Sequence, residues 1–95
     1  MDLDPRLHIY IAGHVQGVFF RDWAKRGAQE LGLTGWIKNL PDRRIEAVFE
    51  GPKSKLEEIL RRCNDGPSAA QVEHVEATWG KATGEFKTFE IIYHY

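Results

Sequence analysis

Cysteine occurs once in the 95-residue chain, as Cys63, which excludes an internal disulfide framework and a cysteine-built zinc cluster. Charge of one sign is equally scarce: 13 Lys and Arg stand against 14 Asp and Glu, for a formal net charge of −1. A general nucleic-acid binder would carry a basic stripe, and this balance argues against that class. No apolar run approaches the ~20 residues that a membrane-spanning helix needs. The opening Met1-Asp2-Leu3-Asp4-Pro5-Arg6 is polar and acidic, so no secretory leader is expected. Repeats, low-complexity tracts and linkers are missing as well. Hydrophobic residues make up 42% of the chain, enough for one small core and, at this length, one domain. The expectation is a cytoplasmic domain over residues 7–95, off the membrane, preceded by a frayed tail at 1–6.

Hydrophobic spacing then divides the chain into elements. Leu7, Ile9 and Ile11 alternate with polar or smaller neighbours, as a half-buried strand requires. Phe20, Trp23, Ala24, Gly27, Ala28 and Leu31 recur at helical spacing, and Gly32 is placed to end that helix in a left-handed conformation. Thr34 to Leu40 and Ile45 to Glu50 read as two strands joined through a turn at Leu40-Pro41-Asp42-Arg43. A second helix spans about Ser54 to Asn64, with Leu56, Ile59, Leu60 and Cys63 as its apolar stripe. Its Glu57/Arg61 and Glu58/Arg62 are expected to pair across one turn. Gln71 to Trp79 and Phe86 to Tyr95 complete the set as strands. The order is β-α-β-β-α-β-β, or a four-stranded core with its last strand extended by a partner, and either is an α+β ferredoxin-like α/β sandwich of βαββαβ type. An antiparallel sheet of four to five strands with two helices on one face is expected.

Chemistry concentrates in Gly13-His14-Val15-Gln16-Gly17-Val18-Phe19-Phe20-Arg21. The segment lies between a strand and a helix, where unpaired N–H groups and the positive end of the helix dipole favour an anion. Gly17 admits a close approach of backbone to ligand, and Arg21 can fork two donors onto a phosphoryl group. The pattern reads as a phosphate cradle with an arginine clamp; a strand-loop-helix of this kind also serves simply to turn a chain. In the second segment, Gly35-Trp36-Ile37-Lys38-Asn39, the Asn39 amide either bonds the adjoining turn or holds a water molecule.

Together these segments resemble the acylphosphatase family. Ile11-Ala12-Gly13-His14-Val15-Gln16-Gly17-Val18-Phe19-Phe20-Arg21 matches the family's first signature, and Gly35-Trp36-Ile37-Lys38-Asn39 with Gly51 is similar to the second. The resemblance extends from about Leu7 to Tyr95. It implies hydrolysis of the carboxyl-phosphate anhydride of acyl phosphates, with Arg21 and the amides of Val15, Gln16, Gly17, Val18, Phe19 and Phe20 on the phosphate. Asn39 is implied as the residue that orients the attacking water. It also implies no metal and no cofactor, with a small-molecule acyl phosphate and inorganic phosphate as the partners; a monomer is expected. The second motif departs from the family's pattern: Arg43 stands where the family usually has glycine, Ile37 replaces a smaller residue and Ile45 replaces valine. A catalytically silent anion-binding or regulatory domain on the same fold is the alternative. An RNA-binding sheet would need an aromatic, basic third strand, whereas Arg44-Ile45-Glu46-Ala47-Val48-Phe49-Glu50 carries two acids.

Other reactive side chains have plainer readings. His8, His14, His74 and His94 lack the spacing of a ligand set, so no metal site is expected. Cys63 continues an apolar stripe, and Trp23, Trp36 and Trp79 fall on packing phases. His14 is either a loop-surface residue or a ligand contact, and Lys38 is either an ordinary surface lysine or a source of positive potential for an anion.

Overall fold

Strict alternation in the first strand is matched by burial: Leu7, Ile9 and Ile11 are inaccessible to solvent. In the computed structural model, which describes residues 4–94, the elements are β1 (Pro5–His14), α1 (Phe20–Glu30), β2 (Thr34–Asn39), β3 (Ile45–Glu50), α2 (Lys53–Asp65), β4 (Gln71–Lys81) and β5 (Phe89–Ile92). Of the expected tail, residues 1–3 lie outside the described residues. β1 already begins at Pro5, opposite Lys81. Tyr95, at the end of the expected last strand, also lies outside them, and β5 stops at Ile92.

The helices supply the other half of the core. Phe20, Ala24 and Ala28 of α1 and Leu56, Ile59 and Cys63 of α2 are buried together with Ile37, Ile45, Ala47, Phe49 and Phe89 of the sheet. Burying one such large apolar side chain is worth about 1.5–3 kcal/mol. Burial also pushes the Cys63 thiol up to about 12, which makes it an inert core residue. At the end of α1, Gly32 takes φ 69°, and Leu33 and Gly32 donate to the carbonyls of Ala28 and Gln29 at 2.8 and 3.1 Å. That 6→1 and 5→2 pair is a Schellman motif.

Strand order is β4-β1-β3-β2-β5, and the sheet is mixed rather than wholly antiparallel. β1, β3, β2 and β4 pair antiparallel, but β5 runs parallel to β2, with Gly35 opposite Phe89 and Ile37 opposite Ile91. The cause is the connection from β4 to β5, which starts at one edge of the sheet and must reach the other. It crosses the end of the sheet where β1 begins and β3 finishes, and a strand entering from that end points along β2. Glu50, the buried last residue of β3, pins this crossing: it accepts hydrogen bonds from the amides of Thr83 (3.0 Å) and Gly84 (3.1 Å) and from Arg6 Nε (2.7 Å). Desolvation by itself would raise the Glu50 pKa; the Thr83 amide, the Arg6 guanidinium and the Gly84 amide outweigh it and hold the carboxyl below its ordinary range.

Two surface expectations change. Arg61 pairs with Glu58 at 2.7 Å rather than with Glu57, and Arg62 reaches the same carboxylate at 2.9 Å. One acid held by two guanidinium groups satisfies both arginines at once, and the Glu58 carboxyl drops to about 2. Trp79 is 42% exposed because β4 is an edge strand, bordered there by Pro5, Lys53 and Glu57.

Arg43 sits at φ 78°, with its amide closing the turn onto Leu40 O at 3.1 Å. A left-handed non-glycine residue costs about 1–2 kcal/mol, part of which glycine returns through its freer unfolded chain. Arg43→Gly is therefore expected to stabilise the protein by about 1 kcal/mol, a rise of roughly 4–8 °C in Tm for a domain of this size. An unchanged melting temperature would show that the turn bears no strain.

Candidate active site

Carboxyl ends of β1 and β2 and the amino end of α1 meet at one end of the sheet, opposite the end crossed by the β4–β5 connection. The loop between β1 and α1 has an alternating backbone: Gly17 (φ 76°) and Phe19 (φ 62°) are left-handed, while Gln16 and Val18 are not. Alternation in the sign of φ is the backbone pattern of a nest, in which successive N–H groups turn toward one side and favour an anion. The first main-chain bond of α1 runs from Trp23 N to Phe19 O at 3.0 Å, so the amides of Phe20, Arg21 and Asp22 precede the helical ladder. Phe19 holds its strained conformation while its ring is 80% exposed. A φ of this sign is easy for glycine and costs phenylalanine about 1–2 kcal/mol, and strain of this size collects at functional sites.

A cleft of about 360 Å³ opens over this nest, lined by Val15, Gly17, Phe19, Phe20, Arg21, Asp22 and Asn39. Arg21 stands in the first turn of α1 with its guanidinium 5.1 Å from the centroid of the Tyr93 ring, just beyond β5. Asn39 is the last residue of β2 and pairs with Ile45, which puts its side chain on the helix-covered face of the sheet. Its Oδ1 is buried and has no hydrogen-bond partner. Buried polar atoms are normally satisfied, so an unpartnered acceptor on a residue that lines an open cleft is a place for a donor from outside the fold. A comparable hollow of about 300 Å³ lies between the helices, but Arg62 and Glu30 on its wall already pair with each other at 2.9 Å.

Of the residues expected from the sequence, Val15, Gly17, Phe19, Phe20, Arg21 and Asn39 are brought together on this cleft. The side chains of Gln16 and Val18 point elsewhere: Val18 is in the core, and Gln16 Nε2 donates to Leu40 O and Arg44 O, each at 3.0 Å. Lys38 faces away from the cleft, 3.9 Å from Glu46 and 5.2 Å from the centroid of Trp36 on the open face of the sheet. The alternation of Ile37, Lys38 and Asn39 along a strand already required that. His14 is exposed and does not line the cleft. Asp22 also lines it, and its only signal in the sequence is its place in the first helical turn. Among the described residues no three His, Cys, Asp or Glu side chains converge as a metal-ligand set, and no helix is long and apolar enough to cross a membrane.

Comparison with known proteins identifies the family. The family model described as acylphosphatase matches residues 7–91. An acylphosphatase from Roseiflexus sp. (strain RS-1) is 49% identical over 93 residues, covering 98% of this chain and 99% of that one. One from Thermus thermophilus is 50% identical over 80 residues, covering 84% and 91%. Among solved structures, the acylphosphatase from Bacillus subtilis superposes with a TM-score of 0.90 at 30% identity, covering 94% of this chain and 99% of that one. With the family model spanning nearly the whole fold and near-half identity carried across it, the chain belongs to the acylphosphatase family and is a hydrolase of acyl phosphates.

Proposed function

We propose that the nest at residues 15–20 and the Arg21 guanidinium hold the phosphoryl group of an acyl phosphate while Asn39 orients the water that attacks it. The observation that carries this reading is the unpartnered, buried Asn39 Oδ1 on the same cleft as Arg21 and the nest. Oδ1 accepts a hydrogen bond from water and directs a lone pair at phosphorus. The new P–O bond forms as the bond to the acyl oxygen breaks, and the carboxylate departs with the bonding pair. The water's protons pass to solvent and to the phosphate product.

Such a reaction suits a site with so few groups. A carboxylate leaves as a stable anion, so it needs no general acid. Phosphoryl transfer then consists of positioning and of stabilising charge on the equatorial oxygens. Backbone amides and a bidentate guanidinium provide the second, and Asn39 the first. The family match does not favour a silent anion-binding domain. We further read the protein as a single-domain, cytoplasmic monomer that takes small-molecule acyl phosphates and binds no nucleic acid. The net charge of −1 and the acids of β3 support the last point.

Neither arginine nor an amide titrates near neutrality, so kcat is expected to be flat between about pH 5.5 and 7.5. An aromatic acyl phosphate assayed across that range, with a chelator present and a phosphate monoester in parallel, tests the reading. Rapid hydrolysis of the acyl phosphate alone, unaffected by the chelator, is expected. A bell-shaped profile with a limb near pH 6.5 would bring in a histidine instead.

A further inference from the structure

We infer that Gln16 is a positioning residue for this reaction, clamping the phosphate cradle to the hairpin that carries Asn39. The inference rests on the reading of Asn39 as the water-orienting group. Although Gln16 lies inside the cradle loop, its side chain does not enter the cleft. Its amide nitrogen instead donates to two carbonyls, Leu40 O and Arg44 O, each at 3.0 Å. Leu40 follows Asn39 directly, and Arg44 precedes Ile45, the cross-strand partner of Asn39. Leu40 N also donates to Arg44 O at 2.8 Å, so one primary amide bridges both strands at the rung beside Asn39.

The bridge acts where the sheet leaves Asn39 least supported. On one flank β3 pairs with β2 as far as Asn39. On the other flank β5 pairs only as far as Lys38, so among the described residues no strand borders Asn39 there. No described residue hydrogen-bonds Asn39 Oδ1, so the direction of that oxygen follows from where the end of β2 sits. Gln16 fixes that end relative to Gly17 and Phe19, the two left-handed residues of the nest. Water and phosphorus are thereby referred to one frame, which in-line attack requires: misplacement by about 1 Å can cost 10²-fold.

Gln16→Met keeps length and shape but removes both donors, and Gln16→Asn draws the amide back by one methylene. For each, kcat on an aromatic acyl phosphate and the inhibition constant of inorganic phosphate are measured, alone and combined with Asn39→Ala, with thermal melts to show that the variants fold. The expected result is a kcat lower by about 10- to 100-fold, with phosphate inhibition changed less than twofold and no further loss on the Asn39→Ala background. A merely structural role would weaken phosphate binding together with kcat, or would multiply with Asn39→Ala, and either outcome overturns the inference. If Asn39→Ala loses turnover while both Gln16 variants keep it, the clamp alone is wrong. If Asn39→Ala itself keeps full rate, the water-orienting role falls and the clamp with it.

Discussion

Arg21→Ala is expected to abolish both turnover and phosphate binding. The side chain lines the cleft at the first turn of α1, where the amides of the nest already favour an anion but have limited reach. A guanidinium adds two parallel donors and a full charge that no amide supplies. Removing an arginine that stabilises a transferring phosphoryl group costs about 10³-fold or more in rate. Because the same contact exists with bound phosphate, competitive inhibition by inorganic phosphate is expected to vanish in step. Arg21→Lys keeps the charge without the fork and is expected to fall between the two. The fold should survive: the described contact of the guanidinium is with the Tyr93 ring, and an exposed cation–π contact is worth about 0.5–1 kcal/mol. Inhibition kinetics with inorganic phosphate decide the matter, since an unchanged inhibition constant would remove Arg21 from the phosphate site.

How far the sequence reveals this site depends on whether a feature is local. Arg21 and the nest lie within one loop and one helical turn, where glycine spacing and the switch from period 2 to period 3.6 mark the boundary. Asn39 is legible for the same reason, since alternation along β2 places it on the face of Ile37 and away from Lys38. Phe19 is not, because nothing in a phenylalanine announces a left-handed backbone; the nest needs that sign of φ at two positions and the sequence offers glycine at only one of them. The direction of β5 is hidden for a different reason. It depends on a carboxylate at the end of β3 capturing amides 33 and 34 residues later, and no local pattern encodes that. The Gln16 bridge, 24 and 28 residues in span, is hidden in the same way, although the residue itself stands inside the most conspicuous motif of the chain.

Asn39→Ala is the complementary case: turnover is expected to fall while phosphate affinity is kept. The nest and Arg21 are untouched by the change, so inorganic phosphate should inhibit as before, within about twofold. Loss of one preorganised polar contact in a transition state typically costs about 10²–10³-fold, and water loses its only side-chain guide in the proposed arrangement. The effect on stability is expected to be small. Asn39 Oδ1 has no partner among the described residues, so truncation breaks no hydrogen bond between that oxygen and the protein. The melting temperature is therefore expected to hold. Asn39→Asp separates orientation from charge: it keeps an acceptor at the same reach but sets a negative group beside the phosphoryl oxygens, so it is expected to weaken phosphate binding, which the alanine variant does not. A side chain whose loss lowers only the rate is one retained for chemistry. Full activity in Asn39→Ala, or a sharp fall in its melting temperature, would return Asn39 to the ordinary role of holding its turn.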